Sequence, residues 1–138
     1  MDAIGANALM GRLLEGLNNG KMDTVESGLH EDVRAEFPFA PPPMPSVVAG
    51  RDAVMAMFRD GSANFRRMTL TPSRFYWCPD ESTLVMEADS DAELAGGANY
   101  RNRYIFVIRV CDGCVILWRE YFNALIVAEA MAAAQAAS

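Results

Sequence analysis

The chain has 138 residues, 51% of them hydrophobic, and a formal net charge of −6 at pH 7. This length and apolar content predict a single domain over residues 1–138 that buries its own core. The excess of acidic side chains repels phosphate backbones and anionic lipid surfaces, so we expect neither a nucleic-acid nor a membrane partner.

The first half of the chain is predicted to be mostly helical. Apolar residues recur at helical spacing between Ile4 and Leu17, which predicts a helix over residues 3–18 that ends at an Asn-Asn-Gly sequence. A short second helix is expected over residues 22–28, where an acidic side chain suits the first turn. A third helix with an apolar stripe is expected from residue 51 to about residue 65.

Two segments between these helices have other patterns. Residues 33–39 alternate as a strand, with Arg34 and Glu36 on one side and Ala35 and Phe37 on the other. Residues 40–49 contain four prolines, which exclude a helix and predict a loop. That loop either connects its neighbours or covers a pocket.

The second half of the chain follows a period of two. Strands are predicted near residues 68–77, 83–94, 99–110 and 114–123, and the short turns between them indicate an antiparallel meander. The alanine-rich segment Ala124–Ala137 reads as a short C-terminal helix that is too short to cross a bilayer. Helices followed by a sheet predict an α+β fold class.

The sequence Cys111-Asp112-Gly113-Cys114 has the spacing of a redox or zinc motif, but it is predicted to form a hairpin turn. A redox pair of this spacing normally opens a helix. A zinc site needs further ligands, whereas Cys78 is distant in sequence and His30 reads as a surface or capping residue. We therefore expect no metal and no cofactor. Three cysteines are also too few for a disulfide framework, which favours a reducing, cytoplasmic location.

Carboxylates occur inside strand-like sequence at two places. Glu120 shares its strand face with Ile116, Trp118 and Phe122, so an ionised carboxylate there needs a partner, such as an arginine, or has a raised pKa. The other acids share one parity on a predicted strand whose opposite face is apolar, and periodicity favours a solvent-facing edge strand for them. They are Glu87, Asp89, Asp91 and Glu93.

Several short motifs occur in an order that resembles a known family. They are Tyr100-Arg101-Asn102-Arg103-Tyr104, Leu117-Trp118-Arg119-Glu120-Tyr121-Phe122-Asn123, and Gly50-Arg51-Asp52-Ala53-Val54 at the start of the third helix. With them the chain resembles the SnoaL-like and ketosteroid-isomerase-like proteins of the nuclear-transport-factor-like superfamily over nearly its whole length. The resemblance implies a cone-shaped α+β barrel, in which three helices close over a strongly curved, mainly antiparallel sheet and leave a small-molecule pocket.

The resemblance also implies which side chains face that pocket. Glu120 and Asp89 would be the catalytic residues that carry protons. The polar residues implied in substrate binding are Arg34, Glu36, Glu87, Asn102 and Tyr104. The implied apolar walls are Met55, Phe58 and Phe122.

Departures from individual relatives limit the activity that the resemblance implies. Phe37 and Leu13 stand where ketosteroid isomerases carry their aspartate base and oxyanion-binding tyrosine, which argues against steroid isomerisation. The chain is also similar to limonene-epoxide-hydrolase-like enzymes, whose two acids match Glu120 and Asp89, although Glu87 replaces their arginine. Phenazine-biosynthesis A/B proteins have a glutamate that matches Glu120, and polyketide cyclases of the SnoaL type are further plausible relatives.

Two functions follow from the resemblance. One is an acid–base enzyme that isomerises, cyclises or hydrolyses a small, largely apolar metabolite. The alternative is a non-catalytic ligand-binding or dimeric assembly module, because a fold alone does not establish chemistry. A homodimer is expected through the outer sheet face, where Ile105 and Val107 leave apolar area exposed beside Arg103 and Arg109.

Overall fold

Residues 1–137 are described by a computed structural model, and they form four α-helices and six β-strands. The helices are α1 (Ala3–Asn18), α2 (Met22–Ser27), α3 (Arg51–Ala63) and α4 (Ala124–Ala137). The strands are β1 (Leu29–Glu36), β2 (Val47–Ala49), β3 (Phe65–Cys78), β4 (Thr83–Leu94), β5 (Asn99–Cys111) and β6 (Cys114–Phe122). The helices and long strands predicted from periodicity are all present.

The two ends of α1 are set by a capping side chain and by a glycine. The Asp2 carboxylate accepts a hydrogen bond from the amide N–H of Gly5 at 2.8 Å, which satisfies a donor that has no partner within the helix. Beyond the other end, Gly20 adopts a φ of 68°, a left-handed conformation that glycine reaches without steric cost. The Asn-Asn-Gly stop predicted from the sequence is therefore confirmed.

The six strands form one mixed sheet in the order β2-β1-β6-β5-β4-β3. Strands β3 to β6 are the predicted antiparallel meander, and β2 pairs antiparallel with β1. Strand β1 runs parallel to β6 and so joins the N-terminal part of the sheet to the meander. The sheet has two free edges and is not a closed barrel. The α+β class predicted from the sequence is confirmed.

The N-terminal part of the sheet differs from its predicted pattern. Strand β1 begins at Leu29 instead of residue 33, and its pairing with β6 shifts register between Leu29 and Arg34. Strand β2 lies inside the segment that was predicted as a loop. Three residues are too few to show a period of two, so this strand is visible only through its pairing with β1.

The concave face of the sheet carries the hydrophobic core. Along β4, residues with even numbers from Leu84 to Leu94 are buried, and the acidic residues between them face the other side. Helices α1 and α3 cover the buried face, and residues such as Leu9 and Met55 are fully inside. Burying a side chain of this size stabilises the folded state by about 1.5–3 kcal/mol.

A bulge in β6 changes which of its residues face the core. Ile108 pairs with Trp118 while Val110 pairs with Val115, so Ile116 has no partner on β5. Val115 and Trp118 are consequently both buried, whereas Ile116 is only partly buried. The expectation that Ile116 shares the inner face of Trp118 is wrong, because strict alternation does not continue through a bulge.

Helix α4 packs next to the turn of the β4–β5 hairpin. Ile126 and Val127 lie against a small cluster formed by Ala92, Leu94 and Tyr100. Within residues 1–137, no helix is both long and apolar enough to span a membrane.

Candidate functional site

The Glu120 carboxyl group lies on the concave side of β6 among aromatic rings. Glu120 stands opposite Phe106 on β5, and Trp118 and Phe122 flank it along the strand. Its carboxylate accepts a hydrogen bond from the indole N–H of Trp118, with Nε1 and Oε1 3.1 Å apart. Part of the Glu120 side chain keeps accessible surface, although protein atoms surround the carboxyl group.

This environment changes the acidity of Glu120. Burial raises its pKa from 4.5 to about 7, and the hydrogen bond from Trp118 opposes that change only in part. No arginine or lysine forms an ion pair with Glu120 in residues 1–137, so nothing charged counteracts the burial. The raised pKa expected for this residue is confirmed in direction, and desolvation is its dominant cause.

A buried network of hydroxyl groups accompanies this acid on the same side of the sheet. The hydroxyl oxygen of Tyr104 lies 2.9 Å from Ser90 Oγ and 3.2 Å from the Tyr100 hydroxyl oxygen. Burial, and to a smaller degree the charge of Glu120, raises the pKa of both tyrosines. Both phenols are therefore neutral near pH 7 and can donate hydrogen bonds.

The three hydroxyl groups of this network have one more proton than their mutual hydrogen bonds need. Ser90, Tyr100 and Tyr104 carry one hydroxyl proton each, and the two contacts among them use two of these protons. The third proton has no acceptor within this group of three hydroxyls. The network can thus offer one hydrogen bond to a further group.

The Asn102 side chain belongs to this network, and its amide is already engaged there. Its Nδ2 group donates to the Tyr100 hydroxyl at 3.0 Å and to the main-chain oxygen of Asn123 at 3.1 Å. Its Oδ1 atom accepts from the Asn123 amide at 3.0 Å. Asn102 therefore fastens β5 to the junction of β6 and α4, and it orients the Tyr100 hydroxyl.

Of the three residues expected as apolar walls, Phe122 is close to Glu120 on β6, Phe58 packs on Trp118, and Met55 lies in the hydrophobic core. Met55 is fully buried, and Phe122 is 8% exposed. The Phe58 ring meets the Trp118 indole edge to face with centroids 5.4 Å apart, and Phe106 meets the same indole at 5.3 Å. Aromatic packing of this kind holds the indole that donates to Glu120.

Asp89 and Glu87 are not part of this site. The Asp89 carboxylate is on the outer sheet face, 63% exposed, with Oδ1 3.7 Å from Nε of Arg103. Glu87 also faces outward and accepts a hydrogen bond from the Tyr76 hydroxyl at 3.3 Å. The pairing of β4 with β5 has no bulge, so the alternation of buried and exposed residues runs unbroken along β4. The inward orientation implied by the family resemblance is wrong for both residues, and the outward orientation favoured by periodicity is correct. The expected edge strand is wrong, because β4 lies between β5 and β3 in the sheet.

Arg34 and Glu36 are also outside the site. Glu36 accepts from Nε of Arg119 at 2.8 Å and from Nε of Arg34 at 3.0 Å, and these guanidinium groups lower its pKa. Val33 and Ala35, which alternate with them on β1, are fully buried. The placement of Arg34 and Glu36 near the pocket was therefore wrong, and no guanidinium from β1 reaches Glu120.

The structure contains two clefts that Glu120 does not line. One, of about 440 Å³, lies between α1 and β3 and is lined by residues that include Leu14 and Leu70. The other, of about 390 Å³, borders the network, since Ser90 and Asn102 line it together with Ile126. Asp89 and Arg103 also line this second cleft.

The alternation along β4 and β5 indicates the Ser90–Tyr100–Tyr104 network, although the sequence analysis did not identify it. Ser90 shares the buried parity of Ala88 and Ala92, so the alternation alone would have placed a hydroxyl on the core side of β4. Tyr100 has the same parity as Tyr104 on β5. Polar groups on a core face need hydrogen-bond partners, and here the hydroxyl groups bond to each other.

A family model described as a SnoaL-like domain matches residues 10–118. The protein YesE of Bacillus subtilis is 32% identical over 101 residues, which cover 72% of this chain and 69% of that protein. A PhzA/B-like protein of Pseudomonas aeruginosa is 31% identical over 111 residues, which cover 79% of this chain and 77% of that protein.

Solved structures share the fold. A Bacillus subtilis protein provisionally described as an isomerase superposes with a TM-score of 0.85 at 26% identity, covering 96% of each chain. An epoxide hydrolase of Mycobacterium tuberculosis, described as limonene-epoxide-hydrolase-like, gives 0.73 at 18% identity over 97% of this chain and 94% of its own.

A second Mycobacterium tuberculosis protein, in complex with estradiol-17β-hemisuccinate, gives a TM-score of 0.77 at 20% identity, covering 88% of this chain and 96% of that one. Likeness at this level of identity shows the nuclear-transport-factor-like cone fold. With the domain model and the two sequence relatives, it confirms the resemblance found in the sequence, and the chain belongs to the SnoaL-like domain family.

Proposed function

We propose that this chain is an enzyme in which Glu120 transfers protons on a small, largely apolar molecule without a cofactor. The observation that carries the proposal is a carboxyl group with a pKa of about 7 and no charged partner among the described residues. Near neutral pH such a group exists in both forms. It can therefore take a proton from a substrate and return it at another position.

The surroundings of Glu120 support a substrate with an apolar body and one oxygen acceptor. Phe58, Trp118 and Phe122 supply aromatic surface around the carboxyl group. The spare hydroxyl proton of the Ser90–Tyr100–Tyr104 network can be donated to a carbonyl oxygen or to the oxyanion that forms on it. A mycobacterial protein of the same fold is in complex with estradiol-17β-hemisuccinate, which agrees with a ligand of this character.

The single acid favours isomerisation or cyclisation over hydrolysis. Removing a proton next to a carbonyl and returning it elsewhere needs one group that acts first as base and then as acid. Hydrolysis of an epoxide by the two-acid scheme needs a second carboxyl group beside the first. Asp89, the residue that matches that second acid, is on the outer face of the sheet.

A non-catalytic binding module remains the second candidate, and one observation favours it. Neither of these two clefts is lined by Glu120, so a ligand held in either of them would not contact this acid. In that case Glu120 is a buried structural acid. Ligands would then occupy the cleft beside Ser90 and Asn102.

We also propose that two copies associate through the outer sheet face. Ile105 is 44% exposed there, and Val107 on the same strand is partly buried. Burial of such side chains between two copies would remove apolar area from water. Three free cysteines agree with a reducing compartment, and we propose a cytoplasmic location.

The enzyme proposal is tested without a known substrate by following hydrogen–deuterium exchange. A panel of small apolar ketones is incubated with the protein in D₂O, and loss of protons next to the carbonyl is measured by NMR. We expect Glu120→Gln to lower exchange by about a hundredfold or more, because the variant keeps the shape but cannot transfer a proton. Glu87→Gln is the matched control on the outer face and should exchange like the wild type. Equal rates for the two variants would exclude Glu120 as the proton carrier.

A further inference from the structure

The hairpin turn between β5 and β6 meets a histidine from the other half of the chain. Asp112 and Gly113 form the turn, with φ values of 51° and 75°. Strand β1 lies parallel to β6, and the amide of Val115 donates to the main-chain oxygen of Gly28 at 2.9 Å. This pairing places His30 beside the turn, although the two are more than eighty positions apart in sequence.

Three different ligand atoms converge at this place. His30 Nε2 lies 3.8 Å from Asp112 Oδ2, and Cys111 Sγ lies 3.7 Å from the same oxygen. All three ligand atoms are within 4.8 Å of one another. In a tetrahedral zinc site, bonds of about 2.0–2.3 Å separate neighbouring ligand atoms by roughly 3.3–3.7 Å. The observed spacing needs only a small contraction to match.

We propose that His30, Cys111 and Asp112 bind one zinc ion. An imidazole nitrogen, a thiolate and a carboxylate together form a donor set that suits zinc, whereas magnesium and calcium prefer sites made of oxygen alone. Three protein ligands leave the fourth tetrahedral position for water. Cys114 is not a ligand in this arrangement, because its thiol is directed at the main-chain oxygen of Ser27, 3.9 Å away.

One existing hydrogen bond to His30 opposes metal binding. His30 Nδ1 accepts a hydrogen bond from the amide of Asp32 at 3.0 Å. Zinc at Nε2 leaves the ring proton on Nδ1, so the Asp32 amide must exchange this contact for water. The amide is in an exposed part of the strand, so a water molecule can accept its hydrogen bond in place of the ring nitrogen. Exchanging this one hydrogen bond for water lowers zinc affinity by about fivefold, which does not prevent binding.

The exposure of Asp112 leaves room for the three ligands to contract around an ion. The Asp112 side chain is 85% exposed, so few neighbouring atoms restrict its rotamer, while that of His30 is only 19% exposed. The site is remote from Glu120, which lies six residues along β6 from Cys114, or about 20 Å at the rise of a strand. The ion would therefore clamp β1 to the β5–β6 hairpin and take no part in proton transfer.

The experiment uses the full chain, reduced with a phosphine that does not bind metals strongly. Cobalt(II) is titrated first, because thiolate ligation gives a near-ultraviolet charge-transfer band, and zinc is then titrated against a chromophoric chelator. We expect one equivalent of each metal and a band that requires Cys111. Cys111→Ser should weaken zinc binding by about a hundredfold or more, and His30→Gln by at least about tenfold. Cys78→Ser is the matched control, since Cys78 is exposed at the end of β3, and it should bind like the wild type.

Variants of Asp112 and Cys114 test which side chains bind the metal. Asparagine tolerates the left-handed conformation of Asp112, so the Asp112→Asn variant should fold normally. It should still bind zinc at least about tenfold more weakly than the wild type. Cys114→Ser should bind zinc within about threefold of the wild type, because that thiol is not a ligand. If Cys114→Ser loses as much affinity as Cys111→Ser, a simple dithiol binds the metal and the proposed trio is wrong. Failure of the reduced wild-type protein to bind either metal also overturns it.

Discussion

The indole N–H of Trp118 donates to the carboxylate of Glu120 across 3.1 Å, and within residues 1–137 it is the one hydrogen bond that opposes the effect of burial on this acid. The donor stabilises the ionised form because it points a partial positive charge at the carboxylate. Trp118→Phe removes that donor while keeping an aromatic ring. We expect the pKa of Glu120 to rise by about one unit above that of the wild type. Carbon-detected NMR titration of the glutamate side chains measures the change directly.

Glu36 serves as the internal reference for this titration. Its pKa is lowered by Arg119 and Arg34 on the outer face, and neither contact involves the indole. Its titration should therefore be the same in Trp118→Phe and in the wild type. An unchanged or lowered pKa for Glu120 in the variant would contradict the role assigned to the Trp118 hydrogen bond.

The raised pKa of Glu120 makes folding stability depend on pH. The ordinary value of 4.5 applies to the unfolded chain and about 7 to the folded protein, so between these values only the folded state holds the proton. The contribution is complete below the unfolded value and is lost as the pH rises through about 7. We expect the unfolding free energy to fall by at most about 3 kcal/mol over this range from this group alone.

Denaturant unfolding from about pH 5 to about pH 8 tests this dependence. Glu120→Gln cannot ionise, so its curve should be flatter than that of the wild type, and the variant should be relatively most stable at the alkaline end. Glu36 and Asp91 act in the opposite sense, because their lowered pKa values stabilise the fold above their ordinary values and lose this effect on acidification. Their contribution lies below the tested range. Parallel curves for wild type and Glu120→Gln would mean that Glu120 titrates normally.

The sequence predicted the meander and the side that each of its residues faces more reliably than it predicted contacts between distant segments. Strand β4 has alternating acidic and apolar residues without interruption, so periodicity alone placed Asp89 and Glu87 correctly on the outside. The family resemblance suggested the reverse and was wrong there. Glu120 was recognised because a carboxylate within an apolar strand must be either paired or desolvated, a conclusion that depends only on neighbouring residues.

The features that sequence reasoning missed depend on pairing between distant parts of the chain. The parallel contact of β1 with β6 brings His30 to Asp112, and no local pattern indicates it. The bulge at Ile116 is set by the register of two strands and breaks the period that the prediction assumed. The network around Tyr104 combines β4 with β5, so it becomes visible only when the two strands are placed in register.

The Tyr104 hydroxyl should be important to stability because it joins two other buried hydroxyls. Tyr104→Phe leaves Ser90 Oγ and the Tyr100 hydroxyl without this partner, which costs about 1–3 kcal/mol of unfolding free energy. Tyr76→Phe is the matched control, since Tyr76 is 48% exposed and its hydroxyl makes a 3.3 Å contact to Glu87 at the surface. We expect that control to change stability by less than about 0.5 kcal/mol. Similar losses for the two variants, measured by urea unfolding, would argue against a specific buried network.

Association through the outer sheet face rests on Ile105, whose side chain is 44% exposed in the single chain. If this surface is buried between two copies, the wild-type protein sediments as a particle of twice the 15.1 kDa chain mass. Ile105→Asp then places a desolvated charge at the contact and should shift the dimer to monomer, with an affinity loss of about a hundredfold or more. Ile4→Asp is the control, because Ile4 is 80% exposed on α1, away from the sheet face, and its replacement should leave the sedimentation unchanged. A wild-type protein that sediments as a monomer at micromolar concentration, or equal dissociation in both variants, would show that this face is not the interface.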